Sequence, residues 1–146
     1  MKFITIVAFS AIVLAADTPV KMADLPPVVQ AAVKEQTTTA TLVGLSKETE
    51  HGKTTYEVET SLNGKSRDVS FDKTGAIVAV EQEVDLDSIP APAKAAIQKK
   101  IGTGKLKNVE SVTEGSSPVT YEATIIRNGK ASEVGINADG TPHKED

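Results

Sequence analysis

The chain has 146 residues, 39% of them hydrophobic, with 16 basic and 20 acidic residues and a net charge of −4. That balance argues against nucleic acid as a partner, because phosphates demand lysine and arginine patches. Cysteine is absent, which excludes disulfides and thiolate chemistry.

In chain order, Lys2 precedes an apolar run from Phe3 to Ala16, and small residues lead into the first acid, Asp17. This is the pattern of a secretory signal peptide over residues 1–16. The run is shorter than the roughly 20 residues of a membrane-spanning helix. Cleavage is expected after Ala15 or Ala16, with no cysteine to lipidate at the junction. The remaining chain is expected to be secreted or periplasmic, without a membrane span. Loss of Lys2 leaves 15 basic against 20 acidic residues, a net charge of −5.

Leu25, Val28, Val29, Ala32 and Val33 then recur at three- and four-residue steps and predict a short helix. Asp24 is the predicted N-cap, and Pro26 and Pro27 fall in the first turn, where a missing N–H costs nothing. A strand is predicted near Thr41 to Glu48. Tyr56, Val58, Thr60 and Leu62 alternate into Asn63-Gly64, a strong hairpin signal, and Arg67, Val69 and Phe71 return. Ala76 to Val84 reads as a further strand.

The same sentence is then written again. Ser88 caps a stripe of Ile89, Ala93, Ala96, Ile97 and Ile101, and Gly102 and Gly104 end it. A strand from Lys105 to Val112 follows. Tyr121, Ala123 and Ile125 run into Asn128-Gly129, and Val134 and Ile136 return. The charged tail with Pro142 leaves little room for another strand. The two copies stay in register apart from one residue inserted before Tyr121. They predict an α+β fold of two tandem repeats, residues 23–84 and 85–146, each one helix packed on a three- to four-stranded antiparallel sheet. Units of this size bury little surface alone, so the two are expected to pack together.

Leu25-Pro26 with Ala31-Ala32, Tyr56-Glu57-Val58, Asn63-Gly64-Lys65 and Asp72 to Gly75, with their counterparts up to Gly140, carry a family resemblance. This order of short elements resembles the PepSY-like family, in its tandem, β-lactamase-inhibitor-like form. The resemblance implies secreted or periplasmic modules that bind or inhibit other proteins, often peptidases. It implies no catalytic residues.

The residues themselves offer little chemistry. Asn63 to Ser66 ends like a phosphate-binding loop, but Glu59 occupies the position of its first glycine. Ser70 and Lys73 have the spacing of acyl-serine enzymes without their companion motifs. His51 and His143 lie in a turn and a tail, too few for a zinc site. Asp72 to Gly75 and Asn137 to Gly140 carry too few carboxylates for a calcium loop and read as turns. Glu81, Glu83, Asp85 and Asp87 alternate, so an extended chain would set all four on one side as a docking stripe or weak cation site. Tyr56 and Tyr121 read first as core packing and second as ligand contacts. These six residues are the candidate interaction residues; no catalytic, cofactor or metal residue is assigned. The sequence thus predicts an exported bacterial protein without enzymatic activity or cofactor, whose partner is an envelope protein or peptide. It would act as inhibitor or modulator of a peptidase or other hydrolase. The alternative is a small-ligand or cation-binding envelope protein.

Overall fold

The computed structural model describes residues 18–50 and 52–143; the signal-peptide reading of residues 1–16 and His51 lie outside them. The chain runs β1 (Thr18–Pro19), α1 (Pro27–Gln36), β2 (Thr41–Glu50), β3 (Lys53–Leu62), β4 (Lys65–Asp72), β5 (Ile77–Val84), α2 (Ala91–Ile101), β6 (Lys105–Glu114), β7 (Thr120–Arg127) and β8 (Lys130–Asn137). A short 3-10 turn precedes each helix, at Met22–Asp24 and Leu86–Ser88.

These turns take the capping residues expected of the helices. Asp24 accepts a hydrogen bond from the Lys21 backbone N–H at 3.2 Å, and the Ser88 hydroxyl donates to the Asp85 carbonyl at 2.7 Å. The helices start later, after Pro26 and Pro90, whose extended backbones (ψ 144 and 138) redirect the chain. At the other ends, the only two arginines serve the helices. Arg67 Nη1 donates to Gln36 Oε1 at 2.6 Å, and Arg127 Nη2 donates to the carbonyls of Lys100 and Ile101. Arg127 thereby satisfies terminal carbonyls, Arg67 holds the last side chain of α1, and a cation at either end complements the helix dipole.

Both hairpins form as their Asn-Gly pairs require, with Asn63 and Asn128 at φ 54 and 51. The larger arrangement differs from two helix-on-sheet repeats. All eight strands make one antiparallel sheet in sequence order, β1 through β8, and the helices contribute only ten and eleven residues. The molecule is mostly β. The finding that overturns the two-repeat reading is the ladder between β5 and β6, which pairs Ala79 through Val84 with Glu114 through Val109. Without it β5 would present a row of unpaired N–H and C=O groups. With it the sheet crosses the midpoint of the chain unbroken.

Both helices pack on the same face of this sheet. Val29 and Val33 of α1, with Leu25, bury against Val58, Val69 and Phe71; Ala93 and Ile97 of α2, with Ile89, bury against Val109, Ala123 and Ile136. Val28, counted in the apolar stripe, is instead half exposed. Its carbonyl meets the turn after β4: a Cβ on Gly75 would stand 3.1 Å from that oxygen. The turn after β8 does the same to α2, where a Cβ on Gly140 (φ +87) would lie 2.8 Å from the Pro92 carbonyl. After β8 the described residues make a single further bridge, Ile136 to Pro142.

Two outcomes test this architecture. A fragment ending at Val84 keeps α1 and four main strands but loses the β5–β6 ladder. It is expected to be unfolded or oligomeric by size-exclusion chromatography and circular dichroism, whereas a stable monomer would restore independent repeats. Gly140→Ala combines a left-handed backbone with a steric clash and is expected to cost about 1–3 kcal/mol in thermal unfolding. Gly129→Ala, where no atom lies within 4 Å, should cost less; equal costs would show that the turn-to-helix contact contributes nothing.

Candidate functional site

Alternation along each strand sends every second residue away from the helices. On β3 these are Glu57, Glu59 and Ser61; on β4, Ser66, Asp68 and Ser70; on β5, Ala79, Glu81 and Glu83. On β6 they are Asn108, Glu110, Val112 and Glu114, and on β7, Thr120, Glu122 and Thr124. The register sets them in rows: Glu59 opposite Asp68, Asp68 opposite Glu81, Glu83 opposite Glu110, and Glu110 opposite Glu122. Each step across a row is only about 4.8 Å. Both helices and the cores beneath them lie on the other side, so no helix or second sheet covers this face among the described residues. Lysine reaches it in β3 and β6 only at their first residues, Lys53 and Lys105, and no base alternates onto it in β4, β5 or β7.

Ser66 ties the centre of the band together. Its backbone N–H donates to Glu83 Oε2 at 3.4 Å, and its hydroxyl donates to Glu110 Oε1 at 3.5 Å. Gly44 on β2 makes room for Glu59, because a Cβ there would stand 3.0 Å from the Glu59 carboxylate. The Asn108 side-chain oxygen is buried beside this band without a hydrogen-bond partner. At the β8 rim, His143 packs over Gly135 and its Nδ1 lies 3.2 Å from Asn137 Oδ1.

The carboxyls feel their crowding. Burial, then the charges of Glu110, Asp68, Glu114 and Glu133, push Glu81 up to about 7. Burial, then Glu59 and Glu110, push Asp68 up to about 6 against a backbone hydrogen bond from Thr60. Glu110 is raised by burial, Glu133 and Glu83, while hydrogen bonds from Ser66 and Asn108 oppose the rise. Glu133 stands on β8, so its charge acts on Glu81 and Glu110 from across the sheet.

Of the six residues singled out from the sequence, Glu81 and Glu83 join this band. Asp85 and Asp87 do not: the chain leaves the sheet at Val84, and lysines pair with both, Lys65 with Asp85 and Lys94 with Asp87, each at 2.7 Å. Tyr56 and Tyr121 lie on the helix-covered side, partly buried against the two cores. Asp68, Glu59 and Glu110 were not singled out. Each looks like an ordinary solvated strand residue until register places it beside another acid. Among the described residues no group of three or more histidines and carboxylates stands in metal-holding geometry.

Comparison with solved structures places the fold. A protein assigned by name to the periplasm, from Bacteroides eggerthii, superposes with a TM-score of 0.66 at 19% identity, over 82% of this chain and 86% of that one. A DUF2874 family protein from Bacteroides uniformis gives 0.63 at 20%, over 82% and 86%. A BLIP-like protein from Bacteroides fragilis gives 0.56 at 16%, over 82% and 83%. The chain has the DUF2874 and BLIP-like fold. No family model matches it, and no curated protein matches it by sequence. The BLIP-like fold gives the acidic band its setting, a broad sheet with helices on one side only. No described helix is long and apolar enough to cross a membrane.

The raised carboxyls carry a stability consequence. A native state that holds protons the unfolded chain has already released grows more stable as pH falls. The gain should accrue from about pH 8 down through the folded values near 7 and 6, and stop near the unfolded value of about 4. Asp72, Asp87 and Asp139, held low by Thr74, Lys94 and Thr141 respectively, act oppositely and only in more acid solution. The melting temperature is therefore expected to be higher at about pH 5 than at about pH 8. Glu81→Gln should raise it at the higher pH and flatten the slope. A flat wild-type profile would contradict the crowding described.

Proposed function

We propose that this is an exported, non-enzymatic protein of the bacterial cell envelope that works by binding another protein on its uncovered sheet face. One observation carries the reading: an eight-stranded sheet keeps both helices on one side and leaves the other side broad and chemically distinct. Both hydrophobic clusters that the helices bury lie on the helix-covered side. A second, polar side of this extent is available for recognition through side chains, while the internal strands have no free backbone groups to offer.

The periplasmic description of the Bacteroides eggerthii neighbour and the leader-like residues 1–16 support export. The BLIP-like neighbour and the PepSY-like character of the sequence support a protein partner. On this reading the chain modulates an envelope peptidase or other hydrolase by occupying part of its surface. The cation-binding alternative has less support, since the carboxylates form a spread band rather than a ligand cage.

Site-directed photo-crosslinking in the source organism's envelope tests the reading. A crosslinking residue in place of Glu114, exposed on the open face, should trap one protein. The same residue in place of Lys99, exposed on α2, should not. Trapping from α2 alone, or from neither position, overturns the proposal.

A further inference from the structure

We infer that the occupant of the open face is a lysine- or arginine-bearing polypeptide segment, seated across β3 to β6 over Glu59, Asp68, Glu81, Glu83 and Glu110. This rests on the reading of that face as the binding surface and adds the chemistry of the partner. The first ground is segregation of charge. Both arginines are spent on helix termini, and Lys65 and Lys94 pair with the acids that lie off the sheet. The central rows are left with carboxylates whose charged neighbours are further carboxylates: Glu59 and Glu110 around Asp68, and Glu110, Asp68, Glu114 and Glu133 around Glu81. A surface that concentrates one sign of charge attracts the other and rejects like-charged proteins.

The second ground is spacing. Acids separated by strand-to-strand steps of about 4.8 Å match several cations distributed along a segment better than one ion at a point. Consistently, no metal-holding cluster forms among the described residues. The buried, unpartnered Asn108 oxygen beside Glu110 adds an acceptor where a donor is lacking. Serines and threonines (Ser66, Ser70, Thr120, Thr124) fill most of the gaps between acids, with Ala79 and Val112 buried among them, so the surface is largely polar and suits a hydrophilic segment.

The arrangement predicts proton linkage. On the same side of the sheet as Glu81 stand Asp68 and Glu59 from β4 and β3, Glu83 from its own strand, Glu110 and Glu114 from β6, Glu122 from β7 and Glu133 from β8, with His143 at the β8 rim. An arriving cation favours the ionised carboxyl, so seating the segment releases protons near neutral pH and binding strengthens as pH rises. Added salt weakens it, since the attraction is between unlike charges.

The test uses a free six-lysine peptide as probe against the intact protein, by titration calorimetry at low salt. Saturable binding is expected at about pH 8, weaker by about tenfold at about pH 5 and in the Glu81→Gln/Glu110→Gln variant. Near pH 6.5, runs in buffers of different ionisation heat should show proton release. Asp85→Asn/Asp87→Asn removes the same charge off the face and should leave affinity unchanged. Absence of binding, equal weakening in both variants, or equally tight binding of spermine or calcium overturns the inference. Crosslinking from position 114 separates the two proposals. A partner trapped there through a segment without lysine or arginine leaves the binding face standing and removes its cationic occupant, whereas no trapped partner removes the face itself.

Discussion

The ladder between β5 and β6 is the interaction on which the rest of the molecule depends. Six consecutive residues of β5 pair with six of β6, and that pairing turns two short runs of strands into one surface. Each helix covers its own cluster, Leu25 to Phe71 in one and Ile89 to Ile136 in the other. The two clusters share no buried residue, so burial alone would permit separate units. Val80 packs on the first cluster and Val84 on the second, so β5 spans both. Backbone hydrogen bonding therefore does the joining that a common core would do in a thicker protein.

A single sheet with its helices on one side has an uncovered side, and this chain fills that side with acids. Stacking carboxylates across adjacent strands is destabilising, since like charges opposite one another repel. Asp68, Glu81 and Glu110 are all raised, first by burial and then by the charges of their acidic neighbours, and the second part expresses that cost. Residues chosen for folding alone would alternate the signs of charge. Placing an unfavourable set of like charges side by side on the face away from both helices is characteristic of surfaces shaped by recognition rather than stability.

The sequence reading succeeded where the physics is local and failed where it is not. Asn63 and Asn128 must take positive φ in their tight turns, and they do. Val29, Val33, Ala93 and Ile97 follow helical periodicity into the cores. The caps moved because Pro26 and Pro90 hold the residues before them, Leu25 and Ile89, in extended backbone, so neither helix can start at the expected cap. The acidic stripe split because alternation holds only while the chain stays extended, and after Val84 it turns out of the sheet.

By itself, then, the amino-acid order determined which stretches form helices, strands and turns and which residues of each strand share a side. Those properties depend on neighbours a few positions away. Tertiary structure alone decided that β5 meets β6, that both helices choose one face, and that Asp68, Glu81 and Glu110 stand together. Register couples residues distant in the chain, and a strand's period of two identifies its faces without naming the strand that will lie beside it.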